Sequence, residues 1–314
     1  MIDNKRQCTN AVVVARPHHF DFNPETASDN LFQNCSPISD LRNFKSKVMD
    51  EFDNFVHILR QAGLWVSILD DKKAPEEKLI DSLFPNNWFS TNRFGVIQIF
   101  PMMAANRQAE VRPELLWELL EKDGFRVDGI VDHRAKLNGV LEGTGSMVMD
   151  HYNNTLYAAL SCRCEWPALR AFKEQSVWDI GYCFETADIN GRPIYHTNVL
   201  LSIGKDFVVL CDEAIPDSKD SKELIEILSQ NREVILINLD QLNHFCANIL
   251  QLESDRGESL IVMSNSAFQG FSTHQLDALS KYGRLLGIPI PLIEQVGGGS
   301  IRCMLAENFL PRKV

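Results

Sequence analysis

The chain has 314 residues, and 31 Lys+Arg against 42 Asp+Glu give it a formal net charge of −11 with its eight histidines neutral. Without a basic cluster, an acidic chain is poorly suited to bind nucleic acid or anionic membranes. No apolar run approaches the roughly 18 residues that a membrane span needs. We therefore expect a soluble, cytoplasmic protein. The length of the chain alone is compatible with one domain or two.

The cysteines do not indicate a disulfide scaffold or a metal site. Eight cysteines in a chain of this length are sparse, and no two of them form a CxxC pair. Cys162 and Cys164 are separated by one residue, and no histidine follows them at zinc-finger spacing. We expect a reducing environment, no metal and no organic cofactor.

Five helices are predicted from apolar residues that recur at helical spacing. The first extends from Ser39 to Gln61, with Ser39 or Asp40 as its cap and Gly63 as its stop. The same pattern predicts helices over residues 108–123, 166–176, 219–230 and 272–286.

Short β-rich runs follow three helices directly, an alternation typical of an α/β protein. These runs are residues 64–69, 233–239 and 288–293. Between them, four segments each predict a strand, a polar or glycine turn and a second apolar strand, and a fifth segment has only the first strand. Aligning the five segments places five residues in equivalent positions: Asn87, Ser146, Asn198, Asn248 and Cys303.

The equivalent positions are separated by 59, 52, 50 and 55 residues, and a period near 50 is typical of a propeller or solenoid. The strand missing from the fifth segment is expected at residues 11–15, which would close a ring of five units. Residues 1–314 are thus predicted to form one α/β domain, a fivefold ββαβ propeller whose equivalent positions face a central axis. An ordinary sheet with incidental hairpins is the alternative.

The run Gly297 to Ser300 is glycine-rich, but it does not fit a nucleotide-binding loop. Only 14 residues follow it, too few for a βαβ unit of roughly 30 residues. Glycines there would instead let the backbone approach its neighbours closely and place Cys303 on a tightly packed central loop. The adjacent Arg302 is a cation that could lower the pKa of the Cys303 thiol.

A cysteine nucleophile needs an acid/base partner and groups that hold the electrophile. His196 and Glu142 each lie beside a repeat-equivalent position, so both are expected to face the axis together with Cys303. The other histidines are expected to be ordinary core or surface residues. They are His18, His19, His57, His133, His151, His244 and His274.

Seven short segments together resemble the pentein, or guanidine-modifying enzyme, superfamily over nearly the whole chain. They are ARPHHFDFNPETA from Ala15, FPNNWFST from Phe84, FPM from Phe100, LEGTGSMV from Leu141, YHTNV from Tyr195, GGGSIRCM from Gly297 and LAENFLP from Leu305. The chain looks most similar to the bacterial arginine-deiminase-related, citrulline-utilization hydrolases of that superfamily.

The resemblance implies a pentein fold with Cys303 as nucleophile, His196 as general acid/base and Glu142 binding a substrate nitrogen. It also implies a role for Arg163, because related deiminases carry a Ser-x-Arg-Thr segment whose arginine binds the substrate α-carboxylate. Here Cys164 replaces the threonine, and an exposed arginine without a role is the alternative.

Two departures from the deiminase pattern bear on the substrate. Asn87 and Asn198 stand where deiminases usually have aspartates. Carboxylates suit a guanidinium, which is cationic and offers only donors, whereas a carboxamide is uncharged and offers both donors and an acceptor. The two asparagines therefore favour a neutral ureido group, as in citrulline.

The predicted function is cysteine-dependent hydrolysis of a C–N bond in a citrulline- or arginine-like amino acid, through a covalent S-carbamoyl or S-amidino intermediate. An amidinotransferase and an arginine or succinylarginine (di)hydrolase remain alternatives. A non-catalytic, ribosome-binding propeller is the alternative from another class. The sequence is compatible with a homo-oligomer.

Overall fold

The computed structural model describes residues 6–34, 41–71 and 79–313, which contain five three-stranded sheets. The strands are β1 Ala11–Ala15, β2 Trp65–Leu69, β3 Phe89–Thr91, β4 Val96–Ile99, β5 Gly129–Asp132, β6 Val148–Asp150, β7 Thr155–Ala159, β8 Asp179–Phe184, β9 Leu201–Ile203, β10 Phe207–Leu210, β11 Glu233–Leu236, β12 Leu250–Glu253, β13 Ser259–Ser264, β14 Arg284–Ile288 and β15 Ala306–Glu307. The helices are α1 Leu41–Gln61, α2 Ala105–Gln108, α3 Pro113–Lys122, α4 Gly143–Ser146, α5 Trp166–Gln175, α6 Ser218–Ser229, α7 Leu239–Asn243, α8 Asn265–Gly270, α9 Thr273–Ser280, α10 Pro291–Gly297 and α11 Ile301–Met304.

All five sheets share one plan. Two strands pair antiparallel, and the middle strand then pairs in parallel with a third. A parallel partner can be reached only by a crossover, and a helix supplies it in each unit: α1, α3, α5, α6 and α9. The predicted α/β fold of ββαβ units is therefore confirmed.

The N-terminal strand β1 belongs to the same sheet as the last described strand. Val13 pairs antiparallel with Ala306, and Ala11 pairs in parallel with Trp65, so the sheet order is β15-β1-β2. This is the pairing expected for residues 11–15. The assignment of the whole chain to a single closed domain stays a prediction.

Helix α1 shows how the apolar pattern becomes a packed core. Phe44, Val48, Phe52, Phe55 and Leu59 lie on one helical face and are buried, with strand β1 in the same core cluster. Burying each of these side chains contributes on the order of 1.5–3 kcal/mol. The predicted caps Ser39 and Asp40 lie outside the described residues.

Two sequence-based boundaries near the C-terminal part are wrong. The predicted helix 272–286 ends at Ser280, and β14 pairs in parallel with β13 instead. Gly283 makes that turn possible, because a Cβ there would lie 2.9 Å from the carbonyl oxygen of Ser259. The predicted strand 288–293 contains only the last residue of β14, since Pro291 begins α10 at a position that favours proline.

Strands β5 and β8 were not predicted. Their residues are mostly half-buried, so neither shows a continuous apolar run. No helix in residues 6–34, 41–71 and 79–313 combines the length and apolar character needed to cross a bilayer.

Candidate active site

The five repeat-equivalent residues occupy matching places, each shortly before the first strand of its unit. Asn87, Ser146, Asn198 and Cys303 lie in short helical turns, and Asn248 precedes β12. All five are buried. The repeat therefore gathers polar side chains from turns that are far apart in sequence.

Cys303 lies in α11 and is in direct contact with two of these asparagines. Its Sγ accepts hydrogen bonds from Asn248 Nδ2 at 3.3 Å and from Asn198 Nδ2 at 3.6 Å. Burial raises the pKa of the Cys303 thiol, and the backbone of Ser300 and the two amides oppose that rise. The site thus buries the thiol but provides donors that stabilise a thiolate.

His196 and Glu142 form a buried hydrogen-bonded pair. His196 Nε2 lies 2.8 Å from Glu142 Oε2. Since a carboxylate only accepts, Nε2 donates its proton and Nδ1 carries the lone pair of the neutral ring. Burial lowers the pKa of His196, and the bond to Glu142 opposes that effect.

Glu142 remains ionised although it has no exposed surface. Burial opposes its ionisation, but the charge of Arg163 and the hydrogen bond from His196 outweigh burial and lower its pKa to about 2. Its second oxygen accepts the backbone N–H of Met103 at 2.9 Å. Both carboxylate oxygens are therefore already engaged by protein donors.

Asn87 presents an unused donor. Its Oδ1 accepts a hydrogen bond from Arg107 Nη1 at 2.6 Å, which fixes the orientation of the amide because a guanidinium only donates. Its Nδ2 is buried without a hydrogen-bond partner among the described residues. A Cβ on Gly145 would overlap this Nδ2 and would lie 2.9 Å from His196 Nδ1. The glycine therefore leaves open the space that Asn87 and His196 share.

Arg163 is buried, so the alternative of an exposed arginine is wrong. Its Nε and Nη2 donate to the two carboxylate oxygens of Asp29 at 2.6 and 2.9 Å. Its Nη1 lies 3.7 Å from Glu142, and the guanidinium stacks over the ring of Tyr195 at 4.7 Å. Arg163 thus connects the Glu142 end of the site to the segment that carries Asp29.

The glycine run before Cys303 permits the close approach expected of it. Gly298 has a φ of +59°, and a Cβ there would lie 2.6 Å from the backbone nitrogen of Gln33. The Gly297 carbonyl accepts a hydrogen bond from Asn30 at 3.2 Å. Asn30 and Gln33 therefore lie against the loop that leads to the cysteine.

Arg302 does not approach the thiol as a hydrogen-bond donor. Its guanidinium binds the carbonyl of Leu305 and pairs with Glu307 at 3.0 Å. Its charge still lowers the pKa of Cys303, as a smaller effect than burial. Within the part of the chain that the structure describes, no group of three His, Cys, Asp or Glu is placed to hold a metal ion.

Four site residues were missed by sequence reasoning. Asn248 had a signal, because the repeat alignment places it beside Cys303, but it was not assigned a role. No pattern in the sequence pointed to the other three, which are Arg107, Asp29 and Asp81. Asp81 is buried, with one carboxylate oxygen bonded to Asn23 and the other without a hydrogen-bond partner in the described residues.

Comparison with known proteins identifies the family of the chain. A family model described as N,N dimethylarginine dimethylhydrolase, eukaryotic, matches residues 16–310. No curated protein matches the chain.

Solved structures share the fold at low sequence identity. ArgZ, an arginine dihydrolase from the ornithine-ammonia cycle in cyanobacteria, aligns with a TM-score of 0.73 and 13% identity, covering 97% of this chain and 41% of ArgZ. Its N-terminal domain, bound to substrate, aligns with a TM-score of 0.72 and 14% identity, covering 96% of this chain and 99% of that one. An adduct of dimethylarginine dimethylaminohydrolase with S-methyl-L-thiocitrulline aligns with a TM-score of 0.61 and 14% identity, covering 96% of this chain and 99% of that one.

This chain therefore spans less than half of full-length ArgZ and nearly all of its N-terminal domain. The family model covers most of the chain, and the five-sheet fold agrees with these neighbours. The chain belongs to the N,N dimethylarginine dimethylhydrolase family of the pentein superfamily, and is a hydrolase acting on non-peptide C–N bonds.

Proposed function

We propose that the chain hydrolyses the ureido group of a citrulline-like amino acid through an S-carbamoyl intermediate on Cys303. The observation that carries this proposal is the buried Nδ2 of Asn87, which has no hydrogen-bond partner among the residues that the structure describes. A ureido carbonyl can accept its hydrogen bond. A guanidinium, which has no acceptor, would leave that donor unsatisfied.

The surrounding groups support the same preference. Asn198 and Asn248 turn further N–H donors toward Cys303. Glu142 is the carboxylate beside His196, and its oxygens are already bonded to His196 and Met103. A guanidinium and a ureido group both bring N–H donors, but only the uncharged ureido group also brings a carbonyl acceptor that these amide N–H donors match.

The first half of the proposed reaction forms the covalent intermediate. The Cys303 thiolate attacks the ureido carbon, and the carbonyl oxygen takes the developing negative charge next to the Asn87 amide. As the C–N bond to the amino-acid side chain breaks, His196 in its protonated form transfers a proton to the departing nitrogen. The products are the free amine of ornithine and an S-carbamoyl cysteine.

The second half releases the enzyme. His196, now neutral, removes a proton from water, and the resulting hydroxide attacks the S-carbamoyl carbon. Cleavage of the C–S bond restores the thiolate and gives carbamate, which decomposes to ammonia and carbon dioxide.

The amino-acid end of the substrate is proposed to lie toward Arg163. The Nε and Nη2 donors of Arg163, which now bind the Asp29 carboxylate, also match a substrate α-carboxylate. The substrate would replace the Asp29 side chain on the guanidinium. The free oxygen of Asp81 offers an acceptor for the α-ammonium group. Both roles are part of the proposal.

Arginine dihydrolysis is a second candidate, favoured by the fold match over nearly all of the N-terminal domain of ArgZ, an arginine dihydrolase. Such an enzyme would convert arginine to ornithine through a bound citrulline. Ammonia and ornithine, measured together, separate the two, because citrulline yields one ammonia per ornithine and arginine yields two.

The deciding experiment is an assay over citrulline, arginine, agmatine, methylarginines and succinylarginine. We expect citrulline to be consumed with a kcat/KM at least about tenfold above that for arginine, equivalent to roughly 1.4 kcal/mol of transition-state preference. A clear preference for arginine, with two ammonia per ornithine, would establish the second candidate instead. Release of dimethylamine from dimethylarginine at the highest rate would contradict both.

The pH dependence of kcat/KM should be broad and flat. Burial raises the pKa of Cys303 above its ordinary 9.0 and lowers that of His196 below its ordinary 6.5. The reactive thiolate–imidazolium pair is then a constant minor fraction between the two pKa values. Activity should fall only below about pH 6.5, where the thiolate is lost, and above about pH 9, where the imidazolium is lost. An acid limb centred above pH 6.5 would contradict this assignment.

A further inference from the structure

A cavity of about 900 Å³ has none of the residues proposed for catalysis in its walls. It lies between the sheet of β3–β5 and the sheet of β6–β8, beside residues 308–312. Phe94, Phe125, Trp178 and Phe309 give it aromatic walls. This volume is within the range of small-molecule binding sites.

Three buried polar atoms in the walls have no hydrogen-bond partner among the described residues. They are His133 Nδ1, His151 Nε2 and Asn308 Nδ2. His133 and Asn308 are each only 1% exposed. Buried polar groups in proteins are nearly always satisfied, and three exceptions around one cavity mark a place where a bound molecule, water or ligand, supplies the partners.

The chemistry of two of these atoms is set by their other contacts. His133 Nε2 lies 3.2 Å from Gln98 Oε1, an acceptor, so His133 Nδ1 carries a lone pair and requires a donor. The backbone N–H of Leu310 donates to Asn308 Oδ1 at 3.1 Å, which leaves Asn308 Nδ2 as a donor that requires an acceptor. A ligand that satisfies both atoms offers a donor to His133 and an acceptor to Asn308.

The walls are also positively charged. Arg6, Arg93 and Arg312 line the cavity, and no Asp or Glu of the described chain does. Arg93 forms no ion pair within the described residues, and Arg312 stacks on the ring of Phe125 at 3.9 Å. Burial lowers the pKa of His133 to about 4 and that of His151 to about 3, so the arginines supply the positive charge at neutral pH.

We propose that this cavity is a second ligand site that binds a small aromatic anion. The anionic group meets the guanidinium groups of Arg93 and Arg312, and the planar body packs against the aromatic walls. An N–H of the ligand donates to His133 Nδ1, and an acceptor receives Asn308 Nδ2. The site is independent of the proposed hydrolysis, because no residue is shared.

The probe for this site is 8-anilinonaphthalene-1-sulfonate, an aromatic sulfonate with one N–H, titrated by fluorescence into the intact protein. N-phenyl-1-naphthylamine has the same rings and N–H without the charge and is the matched control ligand. We expect one saturable equivalent of the sulfonate per chain. The neutral dye should bind at least about tenfold more weakly, since it lacks the charge-assisted contact.

Three variants locate the site. Arg93→Gln should weaken sulfonate binding at least about tenfold and leave the neutral dye unchanged. Val177→Trp, at a position 66% exposed in the cavity wall, should obstruct both dyes. Arg284→Gln removes an exposed arginine outside the cavity and should change neither.

The results that overturn the proposal are equally definite. They are no saturable binding, equal affinity for the two dyes, or sulfonate binding unaffected by Arg93→Gln and Val177→Trp in variants whose melting temperature matches the wild type. Loss of sulfonate binding in Cys303→Ala would place the dye beside Cys303 and overturn the proposal as well.

Discussion

Replacing Cys303 with alanine is expected to abolish turnover of citrulline, by a factor of about 10⁴ or more, because no covalent intermediate can form. Ornithine production measures the effect. The fold should persist, since the hydrogen bonds that Sγ receives from the Asn198 and Asn248 amides are long and weak. The melting temperature of the variant should therefore stay close to that of the wild type.

Cys211→Ala is the matched control for this experiment. Cys211 is fully buried, and it belongs to a core cluster that does not include Cys303. Its loss should lower stability by about 1 kcal/mol and leave kcat/KM unchanged. Activity near wild type in Cys303→Ala would remove the cysteine from its proposed role.

The second large effect is expected from Asn87→Asp. One carboxylate oxygen can keep the bond from Arg107, while the other replaces the free N–H₂ with a negative acceptor. That change repels a ureido carbonyl and attracts a guanidinium. We expect the ratio of kcat/KM for citrulline to that for arginine to fall by about 100-fold or more, as when an oxyanion donor is lost.

Asn87→Ala separates the effect of losing the amide donor from the effect of gaining a negative charge. It removes the N–H₂ without adding an acceptor, so citrulline turnover should fall while arginine turnover does not rise. If Asn87→Asp and Asn87→Ala show the same specificity ratio, the amide does not select the substrate. The proposed basis for preferring a ureido group would then be lost.

Much of the arrangement could be predicted because the sequence repeats. A period near 50 residues places Asn87, Asn198, Asn248 and Cys303 before equivalent strands, and the observed contacts of Cys303 with two of these asparagines follow from that equivalence. The same repeat placed His196 and Glu142 beside equivalent positions, motif resemblance added their roles, and the structure places the two side chains in contact. Local spacing and motif identity were sufficient for these residues.

The rest depends on contacts that no local pattern encodes. Asp29 and Arg163 are separated by 134 residues, and neither has a signal that identifies the other as its partner. The predicted C-terminal end of helix α9 is wrong for a similar reason. Leu285 and Leu286 fit an amphipathic helix and a buried strand equally well, and pairing with β13 decides between them.

The pairing of β1 with β15 has a consequence for the order of folding. During synthesis, β1 and β2 can pair early, but β15 joins their sheet only after the intervening 200 and more residues have been made. Contacts of such high sequence separation form late. Cys303 lies in the turn immediately before β15, so we expect the thiol to reach its two amides in the same late step. A chain released before that step has no assembled nucleophile, and the reactive centre is formed only by the completed fold.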